Sequence, residues 1–187
     1  MPYHTGADHP KQELSDISNQ LASRAYFTDM SQFDFKPYNV TELTIRCNRA
    51  NLTAHYLCNL TFNWFDPNSV RQNRVTSGSC QIDWEWDGVT KYNASADGSN
   101  PVAPYKACWV DESTYFQTAI PGFWHPGNFS IELSHHYRDD DNFTIPWNFP
   151  TTFAIANIRI CGDEILQDKI YHYAPAPING TVFGVTD

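Results

Sequence analysis

Residues 55–64 alternate apolar and polar side chains almost without a break: Tyr56, Cys58, Leu60, Phe62 and Trp64 against Asn59, Thr61 and Asn63. A period of two sends successive side chains to opposite faces of an extended strand, whereas a helix needs apolar residues at three- and four-residue spacing. A two-faced strand of this length must find neighbours for its backbone groups and a core for its apolar face, so it commits the surrounding chain to a β-sheet. Residues 41–47 alternate in the same way, with Leu43, Ile45 and Cys47 on one face. The short connector between the two segments predicts an antiparallel hairpin.

Further strands are expected at 79–86, 102–110, 113–120, 128–137, 152–160 and 165–172. Turn signals separate them: Asp66-Pro67-Asn68, Asp87-Gly88, the stretch 97–101, Pro121-Gly122, Pro126-Gly127 and Cys161-Gly162-Asp163. About eight short strands at this spacing predict an all-β antiparallel sandwich or barrel. Upstream, Leu14, Ile17, Leu21 and Ala25 make a helical stripe, which predicts one amphipathic helix within residues 12–26. The expected organisation is a polar N-terminal segment with that helix (1–31), a β-domain (32–173) and a C-terminal surface segment (174–187). The prolines of Ala174-Pro175-Ala176-Pro177 argue against a central strand there.

Composition narrows the function. The 187 residues are 15% aromatic, too many rings for a chain without a core, and no apolar run approaches the length that spans a bilayer, so membrane insertion is not expected. Twelve Lys and Arg stand against 21 Asp and Glu, a net charge of -9 with no basic cluster, which disfavours nucleic acid as a partner. Sequons occur at Asn39, Asn51, Asn59, Asn93, Asn128, Asn142 and Asn179. Chance would place about two among these asparagines, and the excess points to a glycosylated, secreted protein. Abundant Asn and Thr in β-turns is the plainer explanation. Residues 1–31 hold no apolar core of signal-peptide length, so the expectation is that a leader has been removed.

Five cysteines in an oxidising compartment predict two disulfides and one thiol left over. Cys47, Cys58, Cys80 and Cys108 are the candidates for bridging, with their connectivity open. Cys161 is expected to be unpaired and buried at a strand end. No Cys/His spacing matches a zinc site, and neither a metal nor a cofactor is expected.

An extended segment ending in Cys (Thr44-Ile45-Arg46-Cys47) precedes Tyr56-Leu57-Cys58-Asn59-Leu60-Thr61-Phe62, a Y-x-C-x-x-x-F spacing. Cys80 then precedes aromatic strands, and Phe129-Ser130-Ile131-Glu132-Leu133 leads into His135-His136-Tyr137-Arg138-Asp139. Over residues 33–160 this arrangement resembles small secreted β-sandwich, effector-like proteins of filamentous fungi. The resemblance implies an extracellular protein that binds and inhibits a host protein in the apoplast, in its most concrete form a papain-like cysteine protease. It supplies no catalytic residue.

The candidate chemistry is thin. Asp83, Glu85 and Asp87 share one strand face, with neighbours about 6.5–7 Å apart, a separation glycosidases use. This makes a glycan-active enzyme, or a carbohydrate-binding module with exposed tryptophans, the alternative function. The plainer reading puts Trp84 and Trp86 in the core and the acids in water. His135 and His136 point to opposite strand faces and cannot readily share an ion. Asp139, Asp140 and Asp141 read as a weak oxygen cluster or, more simply, a solvated turn. No G-x-S-x-G elbow and no phosphate loop is present. The segment Ile120-Pro121-Gly122-Phe123-Trp124-His125-Pro126-Gly127 brackets large aromatics between Pro-Gly pairs. It is expected to be a loop presenting Phe123, Trp124 and His125 to a partner, with Tyr92 and Asp97 as second contacts. The competing reading folds both rings onto the sandwich.

Overall fold

The computed structural model describes residues 30–93, 100–161 and 164–186. The helix expected within residues 12–26 and the contact residue Asp97 lie outside these. A single 3-10 turn at Met30–Gln32 leads into ten strands. They are β1 (Tyr38–Asn48), β2 (Tyr56–Phe65), β3 (Ser77–Trp86), β4 (Lys106–Val110), β5 (Tyr115–His125), β6 (Asn128–His136), β7 (Thr151–Arg159), β8 (Glu164–Leu166), β9 (Lys169–Ala174) and β10 (Ile178–Thr186). All pairings among them are antiparallel, in the order β3-β2-β1-β10-β7-β6-β5-β4, with β9 also on β1 and β8 on β9.

The sheet curls until its two end strands meet. β3 and β4 form no ladder, but the Cys80–Cys108 disulfide joins them, so the sheet is a nearly closed barrel with one covalent seam. A second disulfide, Cys47–Cys58, links register partners on β1 and β2 inside the core. Cys161 is unpaired and exposed at the end of β7, not buried as its strand-end position predicted. The interior is aromatic. Trp64 on β2 stacks on Phe116 of β5 at 3.7 Å between centroids, and Trp84 and Trp86 of β3 meet Phe123 of β5 edge to face.

Three expectations change. The strand foreseen at 165–172 is the hairpin β8–β9, turned at Gln167 and Asp168. Pro121-Gly122 does not end a strand: β5 continues through it on a register shift between Ala119 and Gly122. There Ile120 N–H is served by Val102 instead of by β4. The C-terminal segment does not lie on the surface but forms β10, between β1 and β7. The prolines precede β10, at the place where β1 changes partner. β1 pairs with β10 at its start and with β9 beyond, on either side of an irregularity at Glu42, whose φ is 52°.

Candidate interaction surface

Strand direction sorts the connections into two ends. At one end lie the β2–β3, β4–β5 and β6–β7 loops; at the other lie the β1–β2, β5–β6 and β8–β9 turns. The first end is built over a buried polar plug. Asp66 and His135 are enclosed and 2.7 Å apart, and Tyr38 hydrogen-bonds Thr152 beside them. Burial first, and the Asp66 carboxylate second, hold the hydroxyls of Tyr38 and Tyr137 well above the usual tyrosine range, so both stay protonated.

Above this plug the chain between β6 and β7 makes a braced loop. Tyr137 and Asp139 extend the strand pairing through their N–H groups to Pro150 and Asn148. Asp139, almost fully buried, then accepts the N–H groups of Asp141 and Asn142 on one oxygen and the Asn142 amide on the other. Asp140 receives Asn148 Nδ2 at 2.6 Å and two contacts from Arg138, and the Arg138 bond chiefly holds its carboxyl below the ordinary range. The β2–β3 loop clamps this loop from the side. Asn73 exchanges two hydrogen bonds with the Arg138 backbone, Gln72 accepts Asp140 N–H, and Arg71 pairs with Asp141 at 3.0 Å. Phe143 is turned down onto Phe33.

With its polar groups engaged below, the loop carries apolar side chains outward. Ile145 is 79% exposed and Trp147 59%, with Pro146 between them; Phe149 and, on the β2–β3 loop, Val70 are exposed as well. Comparison with known protein families, curated proteins and solved structures finds no match. The surface must therefore be read from its own chemistry: a rigid, apolar, aromatic-tipped projection with charges paired around its foot.

The expected contact segment is placed differently. Phe123 and Tyr92 are core residues, because β5 and the connector before β4 pair here through reciprocal backbone bonds of 2.7 and 2.8 Å. The alternation of β5 then points Phe123 inward among Trp84, Trp86 and Phe129. Of the four described contact candidates, Trp124 and His125 are exposed, at the opposite end, where His125 Nδ1 accepts Gly127 N–H. His125 also borders a cavity of about 370 Å³ with Tyr56, Trp86, Ile170 and His172.

Asp83 and Glu85 face outward on β3. Asp83 is engaged by Asn59 and Gln81, Glu85 lies 3.9 Å from His55, and Trp84 and Trp86 face the core. Glu85 borders an open depression of about 380 Å³ with Arg49, His55 and Leu57 that Asp83 does not line, so the two acids do not share one cleft. Asp139, Asp140 and Asp141 turn to separate partners and do not converge. Of the sequons, Asn51, Asn93, Asn142 and Asn179 are exposed and Asn39, Asn59 and Asn128 half-buried. The projecting loop was not legible as such: Ile145-Pro146-Trp147 is too short for periodicity. Its signal was an apolar triplet inside a stretch whose Asp, Asn and Pro otherwise announce a turn.

Proposed function

We propose that this chain is a secreted binding protein that docks the β6–β7 loop into an apolar cleft of another extracellular protein. One observation carries the reading: Ile145 and Trp147 stand in solvent on a backbone tied down by Asp139, Asp140 and Asn148. Large apolar side chains held this way lose little conformational freedom on binding, and tryptophan is prominent among residues that dominate interfaces. Two disulfides and seven sequons support an extracellular setting. A net charge of -9 favours a partner with a basic rim around its cleft. The resemblance to effector-like fungal proteins suggests the concrete form, in which the loop occupies the cleft of an apoplastic papain-like cysteine protease and blocks it.

The immobilised protein is incubated with apoplastic fluid, bound proteins are identified, and the residual protease activity of the fluid is measured. Trp147→Ala is expected to weaken capture about 30-fold, corresponding to roughly 2 kcal/mol for a central aromatic anchor. Capture unchanged in both Trp147→Ala and Ile145→Asp would sink the docking surface. Capture without loss of protease activity would remove only the inhibitory form.

A further inference from the structure

Trp124, another exposed tryptophan, sits in chemistry of a different kind. Trp124 precedes the tight Pro126-Gly127 turn, and its ring lies back over Gly122. A Cβ at Gly122 would come within 3.0 Å of the indole and 3.1 Å of Ser130 Oγ, so glycine is what leaves the ring room against the sheet. One side of Trp124 is therefore supported by the outer surface of β5 and β6, while 40% of the residue remains exposed.

Register places three polar residues around it. Asn128 opens β6 opposite His125 and is paired on its other side with Arg159 of β7; two pairs further on, Ser130 faces Asn157. The inward residues of these strands are Phe123, Phe129 and Ile158, so Asn128, Asn157 and Arg159 point outward with Trp124. Together with Phe129 these four line a shallow depression of about 290 Å³. An indole platform flanked by an amide and a guanidinium suits a pyranose. The ring's C–H face is apolar and covers the indole, while hydroxyl and acetamido oxygens take N–H donors at the rim.

Asn128 is itself a glycan acceptor by sequence, in Asn128-Phe129-Ser130. Its carboxamide enters no hydrogen bond with a described residue, unlike Asn59, bound to Asp83, and Asn142, bound to Asp139. We infer that Asn128 carries an N-linked glycan whose first N-acetylglucosamine packs on Trp124, with Arg159 and Asn157 at its edge. This rests on the secretory part of the proposed function and is independent of the docking loop at the other end. The linkage joins Asn128 Nδ2 to the sugar C1 as the C1–O bond of a lipid-pyrophosphate oligosaccharide donor breaks; the lipid pyrophosphate leaves and one Nδ2 proton passes to the transferase. The folded protein contributes the platform, not the transfer.

The test uses protein secreted from a glycosylating eukaryotic host, trimmed enzymatically to one N-acetylglucosamine per occupied site. Peptide mass mapping reads occupancy, and NMR reads contacts between sugar protons and the Trp124 indole. Asn128 is expected to be occupied, with those contacts present. Asn128→Gln is expected to lower Tm by about 2–4 °C, a loss that nearly vanishes in a Trp124→Ala background. Asn128 empty while other sequons are filled overturns the inference alone, as does an equal Tm loss in both backgrounds. All seven sequons empty overturns it together with the secretory reading. A free chitin oligosaccharide that binds Trp124 of unglycosylated protein, with Asn128 empty in the secreted form, assigns the platform to an external sugar and overturns the tethered one.

Discussion

Among the described residues, four turns are closed by one side-chain device. Asn51, Asp87, Asp111 and Asp139 each use a side-chain oxygen to accept the backbone N–H groups two and three residues ahead. This geometry is available to Asx residues because their short side chain mimics a turn of backbone. Where the acceptor is ionised the bonds favour the charged form. The Ser113 and Thr114 N–H groups hold Asp111 down at about 2, and the Thr90 hydroxyl and N–H lower Asp87. A carboxyl lowered by folding contributes stability that is fully present above its unfolded value, near 3.9, and is lost as pH falls through the folded one. Wild-type Tm should therefore fall between about pH 4 and pH 2, and Asp111→Asn, which keeps an acceptor oxygen but cannot titrate, should fall less steeply. An identical acid profile for the two proteins would show that the turn is not held through this carboxylate. Asp66 and His135 show the limit of reading at this scale. Each is an ordinary turn or strand residue in the sequence, and only the meeting of β6 with the β2–β3 loop, 69 positions apart, makes them a buried pair.

Among the elements, the strands with unbroken alternation matched expectation because their period is local and both faces are written in consecutive residues. β2 and β3 end within two residues of where alternation placed them. β10 was missed because Gly180 and Gly184 dilute its pattern and two prolines precede it. Gly180 is needed for proximity: a Cβ there would lie 3.2 Å from Leu133 Cδ1 and 3.4 Å from Tyr38 Cβ, where β10 crosses the core. Gly180→Val is expected to destabilise the protein by about 1–3 kcal/mol through overpacking, read as a lower urea midpoint at unchanged slope. A midpoint equal to wild type would mean that β10 does not approach Leu133 so closely. β5 was cut short in expectation for a related reason. Pro121-Gly122 usually signals a turn, but here the missing N–H falls at a register shift and strand pairing resumes beyond it.

The molecule as a whole is a curled sheet whose ends are held by a bond between side chains. Most neighbouring strands share ladders, whereas β3 and β4 share Cys80–Cys108. Replacing both cysteines with serine releases a 28-residue loop closure and is expected to cost about 3–4 kcal/mol. Amide exchange should rise first in β3 and β4. Exchange rising evenly over all strands would argue that the seam does not keep the barrel closed. Trp147 and Trp124 are exposed at opposite ends of this barrel, so the protein contact and the sugar contact proposed for them do not compete for one face.

From its sequence alone the chain was committed to antiparallel β-structure, to its principal turns and to a set of four bridging cysteines. Those properties depend on side-chain order over a few residues. Tertiary structure alone decided which aromatic residues face water, that the C-terminus becomes an inner strand, and that a three-residue apolar tip forms the projecting surface. Each of these depends on which distant strand supplies the neighbour. A phenylalanine on a strand is core or contact according to what covers it, and that cover comes from elsewhere in the chain.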